Sequence, residues 1–109
     1  MNKKIIYEEV LKLGAGAYRK GFELLVSALD EVINNPTLGT IELYDKLAAE
    51  FNDTRSRVER GLRYYIECIM TEGNQEEVSK LILKCSKSGI PTVTEFIKVF
   101  ALYLKLNFN

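Results

Sequence analysis

Apolar residues recur at spacings of three and four along most of the chain, which is the signature of helices with one buried face, and strand-type alternation is nearly absent. The pattern predicts six helices. The first runs from about Lys3 to Leu13 and stops at Gly14-Ala15-Gly16. The second spans about Ala17 to Asn34, with Phe22, Leu25, Val26, Leu29, Val32 and Ile33 as its apolar stripe. Asn35-Pro36 ends it, because proline disfavours helical geometry in the residue before it. A third helix covers about Thr40 to Phe51, with Ile41, Leu43, Tyr44, Leu47 and Ala48 facing inward. A fourth begins at Thr54 and continues to Glu72, with Gly73 as a C′ glycine. A fifth occupies about Gln75 to Cys85 and, after Ser86-Lys87-Ser88-Gly89 and Pro91, a sixth runs from about Thr94 to Leu106. The expectation is an all-α, six-helix single domain covering residues 1–109, with a helix-turn-helix at about 41–72.

Two features of the third and fourth helices change that picture from a bundle into a candidate reading unit. Asn52 and Asp53 alone separate them, and asparagine tolerates the left-handed conformation that a sharp turn needs. Thr54 is a good N-cap, with Asp53 its rival. Ala48, Asn52 and Val58 stand at the +0, +4 and +10 spacing common in helix-turn-helix units: a small residue where helices approach, a turn former, and an apolar lock. At 100° per residue, Leu62, Tyr65 and Ile69 fall within about 40° of Val58, with Gly61, Ile66 and Cys68 on the shoulders. Ser56, Arg60, Arg63 and Glu67 cluster on the opposite side, flanked by Glu59 and Arg57. A major-groove helix needs this arrangement, an apolar back and polar N-terminal residues facing base edges. Arginine can bond bidentately to guanine O6 and N7, glutamate can accept from cytosine N4, and serine adapts to either. A run such as Arg55-Ser56-Arg57-Val58-Glu59-Arg60 is also what a solvated, ion-paired helix face looks like. From these residues alone the two readings stand level.

Composition narrows the classes further. The chain has 109 residues, 47% of them hydrophobic, enough for one core, so it is expected to fold as one domain. No apolar run approaches the roughly 18 residues of a membrane span. Glu8 and Glu9 interrupt the start, so it does not read as a signal peptide. Cys68 and Cys85 read as two reduced thiols of a cytoplasmic protein. Formal net charge is zero, with 15 basic and 15 acidic residues, which is unusual for a phosphate binder. The distribution is uneven: residues 1–50 carry six basic and eight acidic groups, residues 51–109 nine and seven. Four of those nine are Arg55, Arg57, Arg60 and Arg63.

Catalytic chemistry finds little support. The sequence has no histidine, which excludes histidine-based triads and most catalytic zinc sites. Gly14-Ala15-Gly16 lacks a preceding strand, and Arg19 stands where a dinucleotide fingerprint has its third glycine. Glu8-Glu9 and Glu76-Glu77 sit in first turns or exposed positions, where carboxylates are ordinarily structural. No enzyme activity, cofactor, metal or small-molecule substrate is expected. Phe96, Phe100 and Tyr103 on the last helix are at core spacing and could extend to a partner surface.

The string Asn52-Asp53-Thr54-Arg55-Ser56-Arg57-Val58-Glu59-Arg60-Gly61-Leu62-Arg63 resembles the recognition helix of the C-terminal DNA-binding domain of the master sporulation response regulator of endospore-forming Firmicutes. Lys20-Gly21-Phe22 matches a Lys-Gly-aromatic element in that family's second helix. Leu43-Tyr44 through Ala48 and Phe51-Asn52 match the first helix of its reading unit. Gly73-Asn74 matches the exit, and Pro91-Thr92 with Glu95-Phe96-Ile97 the last helix. The resemblance implies a six-helix effector domain that binds double-stranded DNA at a box with a TGTCGAA-like core, often as homodimers on tandem boxes. It places base and phosphate contacts on Ser56, Arg57, Glu59, Arg60 and Arg63, with Thr54 and Arg55 at the helix start. The chain departs from the family in three places. Tyr64 stands where histidine is frequent, the basic loop before the last helix is Ser88-Gly89-Ile90 with Lys87 alone nearby, and the loop after the second helix is shorter. The family's full-length regulator begins with a phospho-accepting receiver domain, whereas this sequence starts at the effector region, and the expectation for it is binding without phosphorylation. The rival expectation is a helical interaction module that forms mixed dimers with a full-length relative and does not read DNA itself.

Overall fold

A computed structural model describes residues 1–82 and 91–108. Among these residues the chain forms α1 (Lys3–Lys12), α2 (Lys20–Asn34), α3 (Thr40–Glu50), α4 (Arg55–Glu72), α5 (Gln75–Ile82) and α6 (Val93–Phe108), and no strand. The expected all-α class and the order of elements hold. The far end expected for the fifth helix, Cys85, and the Ser86–Gly89 loop with Ile90 lie outside the described residues.

The centre of the fold is α2. Its stripe Phe22, Leu25, Val26, Leu29, Val32 and Ile33 is buried as expected, and Leu24, Ser27 and Ala28 are buried too. A helix covered on nearly all sides needs neighbours on all sides, and α2 packs against α1, α3, α4 and α6. Phe96, Ile97, Phe100, Ala101 and Leu104 of α6 complete one continuous core with it. Fully burying one such aliphatic or aromatic side chain contributes about 1.5–3 kcal/mol, so the core dominates the stability of the chain. Among the described residues no helix is long and apolar enough to cross a membrane.

Three local expectations are corrected. The second helix begins at Lys20, not Ala17. Gly16 takes a positive φ of 93°, and Arg19 is extended at φ −85°, ψ 142°, with its guanidinium bonded to Glu72 at the end of α4, so the helix starts only after it. Ile41 was expected inside but is 58% exposed, because the core side of α3 is already filled by Leu43, Tyr44 and Leu47. Gly73 ends α4 in an extended conformation, φ −72° and ψ 174°, and is not a left-handed C′ residue. Its missing side chain matters for another reason: a Cβ there would lie 2.4 Å from the carbonyl oxygens of both Ile69 and Leu13. The next residue uses that close approach, the Asn74 amide donating to the Leu13 carbonyl at 2.8 Å.

Candidate nucleic-acid interface

Between α3 and α4 the chain turns in four residues, and each of the last three has a local cause. Asn52 adopts φ +52°, the one positive φ at a non-glycine residue in the described chain, as an asparagine can. The Asp53 amide then donates to the Ala48 carbonyl at 2.9 Å and closes the turn. The Thr54 hydroxyl accepts from the Arg57 amide at 3.2 Å, so Thr54 is the N-cap and one orphan donor of the first turn is satisfied. Asp53, the rival cap, does something else. Its Oδ1 accepts from the Thr54 amide at 2.8 Å, and its Oδ2 takes the Lys20 ammonium of α2. These bonds hold the Asp53 carboxyl below the usual carboxylate range, with the Lys20 hydrogen bond the largest cause.

The back of α4 is fixed by close fits. Val58, Leu62, Tyr65 and Ile69 are at most 1% exposed, as the helical wheel required. Two glycines set the crossing with α2. A Cβ on Gly21 would stand 2.3 Å from Tyr65 Cβ, and a Cβ on Gly61 2.8 Å from Leu24 Cδ1, so each helix needs a gap where the other has bulk. Phe22 meets the Tyr65 ring edge-on, centroids 6.4 Å apart and planes at 75°, a favoured aromatic geometry. The Tyr65 hydroxyl donates to the Gly16 carbonyl at 2.6 Å, and burial pushes its pKa up to about 12, so it stays a donor. Lys20-Gly21-Phe22 therefore grips α4 with each of its three residues: an ion pair to the turn, a gap for Tyr65, and a ring against it.

The opposite face carries the residues expected to meet DNA, and the fold brings them together at the N-terminal half of α4. Arg55, Ser56, Arg57, Arg60 and Arg63 are exposed and Glu59 is half-buried. Their charges are not equally available. Arg55 is tied to Asp45 of α3 by two bonds, Nε to Oδ1 at 2.8 Å and Nη2 to Oδ2 at 3.1 Å. Arg63 donates to Glu59 at 2.9 Å one turn back. Arg57, with its side chain 73% exposed, lies 3.9 Å from Asp53, beyond hydrogen-bond length. Arg60 has no ion-pair partner among the described residues. A shallow open depression lies on either side of this ridge. One is lined by Arg57, Arg60, Gly61, Arg63, Tyr64 and Glu67, the other by Ile41, Tyr44, Arg55, Ser56, Glu59 and Arg60.

Sequence reasoning did not find the Asp45–Arg55 bridge or the role of Lys20. The first had a usable signal, since Asp45 and Arg55 face each other across a two-helix turn ten residues apart. The second had none beyond the Lys-Gly-aromatic match. No group of three histidine, cysteine, aspartate or glutamate side chains forms a metal-holding cluster among the described residues.

A tight turn between two packed helices, the second presenting arginines outward from an apolar back, defines a helix-turn-helix DNA-binding domain. Residues 6–104 match the family described as sporulation initiation factor Spo0A C terminal. The chain belongs to that family, and it is a DNA-binding effector domain of the sporulation response-regulator type.

Proposed function

We propose that the chain is a non-enzymatic, sequence-specific transcriptional regulator that lays α4 into the major groove of a box with a TGTCGAA-like core. The observation that carries this reading is the partition of α4: Val58, Leu62, Tyr65 and Ile69 are at most 1% exposed, while Ser56, Arg57, Arg60 and Arg63 project together from its N-terminal half. Arg60, near the middle of that face and unpaired among the described residues, is assigned to a guanine edge, where its fork can bond twice. Arg57 on the flank is assigned to a phosphate. Glu59 can accept from a cytosine once its bond to Arg63 opens, and Arg63 is then free for the backbone. Ser56 adapts to base or phosphate. Thr54 caps the helix so that its N-terminal dipole faces the phosphates. Arg55, held by Asp45, braces the two helices and offers its remaining donors to the backbone.

The neutral total is compatible with this reading because the opposing charges are spent locally. Asp45 offsets Arg55, Glu59 offsets Arg63 and Asp53 offsets Lys20, which leaves Arg57 and Arg60 as the most available cations of the ridge. Chromosomal DNA as the partner implies a cytoplasmic location, and paired boxes would be met by a homodimer. The rival, an antagonist that forms mixed dimers and does not read DNA, is favoured by one feature: Leu102 and Leu106 of α6 are 56% and 74% exposed. Fluorescence anisotropy with a TGTCGAA duplex and a scrambled duplex separates the two. The DNA-reading proposal expects the specific duplex to bind roughly 10³-fold or more tightly. Equal affinities would leave the antagonist.

A further inference from the structure

We infer that Lys20 of α2 is a positioning residue for DNA binding: by holding the Asp53 carboxylate it keeps Arg57 beyond hydrogen-bond length from that carboxylate and so able to reach a phosphate. The inference rests on the proposed role of Arg57 and adds to it the device that keeps that arginine available.

Asp53 stands between two cations. Lys20 bonds its Oδ2, while Arg57 stands 3.9 Å from its Oδ1, which is already accepting from the Thr54 amide. The Asp53 side chain is 8% exposed, so water supplies little of its solvation and its ionised form depends on these partners. Arg57, in the first turn of α4, is placed four residues after Asp53 of the preceding turn, and its guanidinium already stands at the edge of that carboxylate. With Lys20 gone, the nearest remaining cation is Arg57, and closing the gap by about 1 Å would make a charge-assisted bond. An arginine bound to that carboxylate presents a neutralised, retracted group to DNA. Lys20, on a different helix, therefore controls whether the first turn of α4 carries a free charge.

The test is a set of salt titrations on the TGTCGAA duplex with the full chain, its Arg57→Ala, Lys20→Met and Asp53→Asn variants and their combinations. Arg57→Ala should flatten the slope of log affinity against log salt by about one unit, roughly three- to four-fold between 50 and 200 mM. Lys20→Met should do nearly the same, and adding Arg57→Ala to it should change little more. That non-additivity is the signature of one residue acting through the other. In the Asp53→Asn background, where no carboxylate remains to capture Arg57, Lys20→Met should leave the slope unchanged, and this arm holds even if the single variant folds poorly. Lys20→Arg should bind as the unmodified chain does. If Arg57→Ala still removes its full unit from Lys20→Met, or Lys20→Met still flattens the slope beside Asp53→Asn, Lys20 acts by its own charge and the inference is overturned. If Arg57→Ala changes nothing in the otherwise unmodified chain, the assigned role of Arg57 fails first and takes the inference with it.

Discussion

Val58, Leu62, Tyr65 and Ile69 lose nearly all contact with water, whereas Ser56, Arg57, Arg60 and Arg63, one to three residues away on the same helix, stay exposed. The two faces differ in what a small change can do. On the back, an added methyl at Gly21 would overlap Tyr65 Cβ and Cγ, and one at Gly61 would press on Leu24 Cδ1, so the seat of α4 has little tolerance at Gly21 and somewhat more at Gly61, where the leucine tip can shift. On the front, exposed ion pairs of the Arg63–Glu59 type are individually weak, so they can be exchanged for bonds to a ligand at little cost. A recognition helix needs both: a rigid seat to set its angle, and side chains loose enough to trade partners.

Substitutions on the seat should have the largest effects. Val58→Asp places a charge in a position 1% exposed, and should unfold the domain at a cost of about 3 kcal/mol or more. An unchanged melting temperature and circular dichroism would show that this face is not the seat. Gly21→Ala should be milder, about 1–3 kcal/mol of overpacking, because α2 must move away from Tyr65 Cβ. Denaturant midpoints will report the loss, and DNA affinity should fall with it as α4 tilts. A midpoint equal to the unmodified chain's would mean that the crossing is looser than the geometry shows.

The carboxylates at the edge of the front face give a smaller, pH-dependent effect. Asp53 is held below its ordinary pKa of 3.8 chiefly by Lys20, and Asp45 by Arg55. Since the folded values lie below the unfolded ones, the stabilisation is complete above the carboxylate range and is lost as pH falls below 3.8 through the lowered values. Melting temperatures between pH 6 and pH 3 should fall less steeply for Asp53→Asn than for the unmodified chain. Asp45→Asn should change the profile less, since that side chain is 54% exposed against 8% for Asp53. Equal profiles for all three proteins would mean that neither pair supports the turn.

What could be read from the residues follows from what leaves a periodic trace. The stripe of α4, the cap at Thr54 and the left-handed Asn52 are local properties, set by spacing and by the conformational range of single residues, and all three are as the sequence implied. Ile41 was misplaced because a wheel shows which residues could face inward, while the width of the neighbouring surface decides how many do. The late start of α2 and the extended Gly73 depend on where α1 and α4 end relative to each other, a tertiary fact with no local pattern. The Lys20–Asp53 pair joins positions 33 residues apart, and its residue types are ordinary on any surface. The Lys-Gly-Phe element could be matched to a family before its reason was visible, and that reason is Tyr65 for Gly21 and Phe22 and Asp53 for Lys20.

Whether the front of α4 reads bases or merely attracts phosphate is decided at Arg60. Affinities of the unmodified chain and Arg60→Ala are measured at one salt concentration on a TGTCGAA duplex and on a scrambled one. If Arg60 reads a base, the substitution costs about 1–3 kcal/mol on the specific duplex and little on the scrambled one, so that the ratio between them shrinks. Equal losses on both duplexes would reduce Arg60 to an electrostatic contact and contradict base readout through this face.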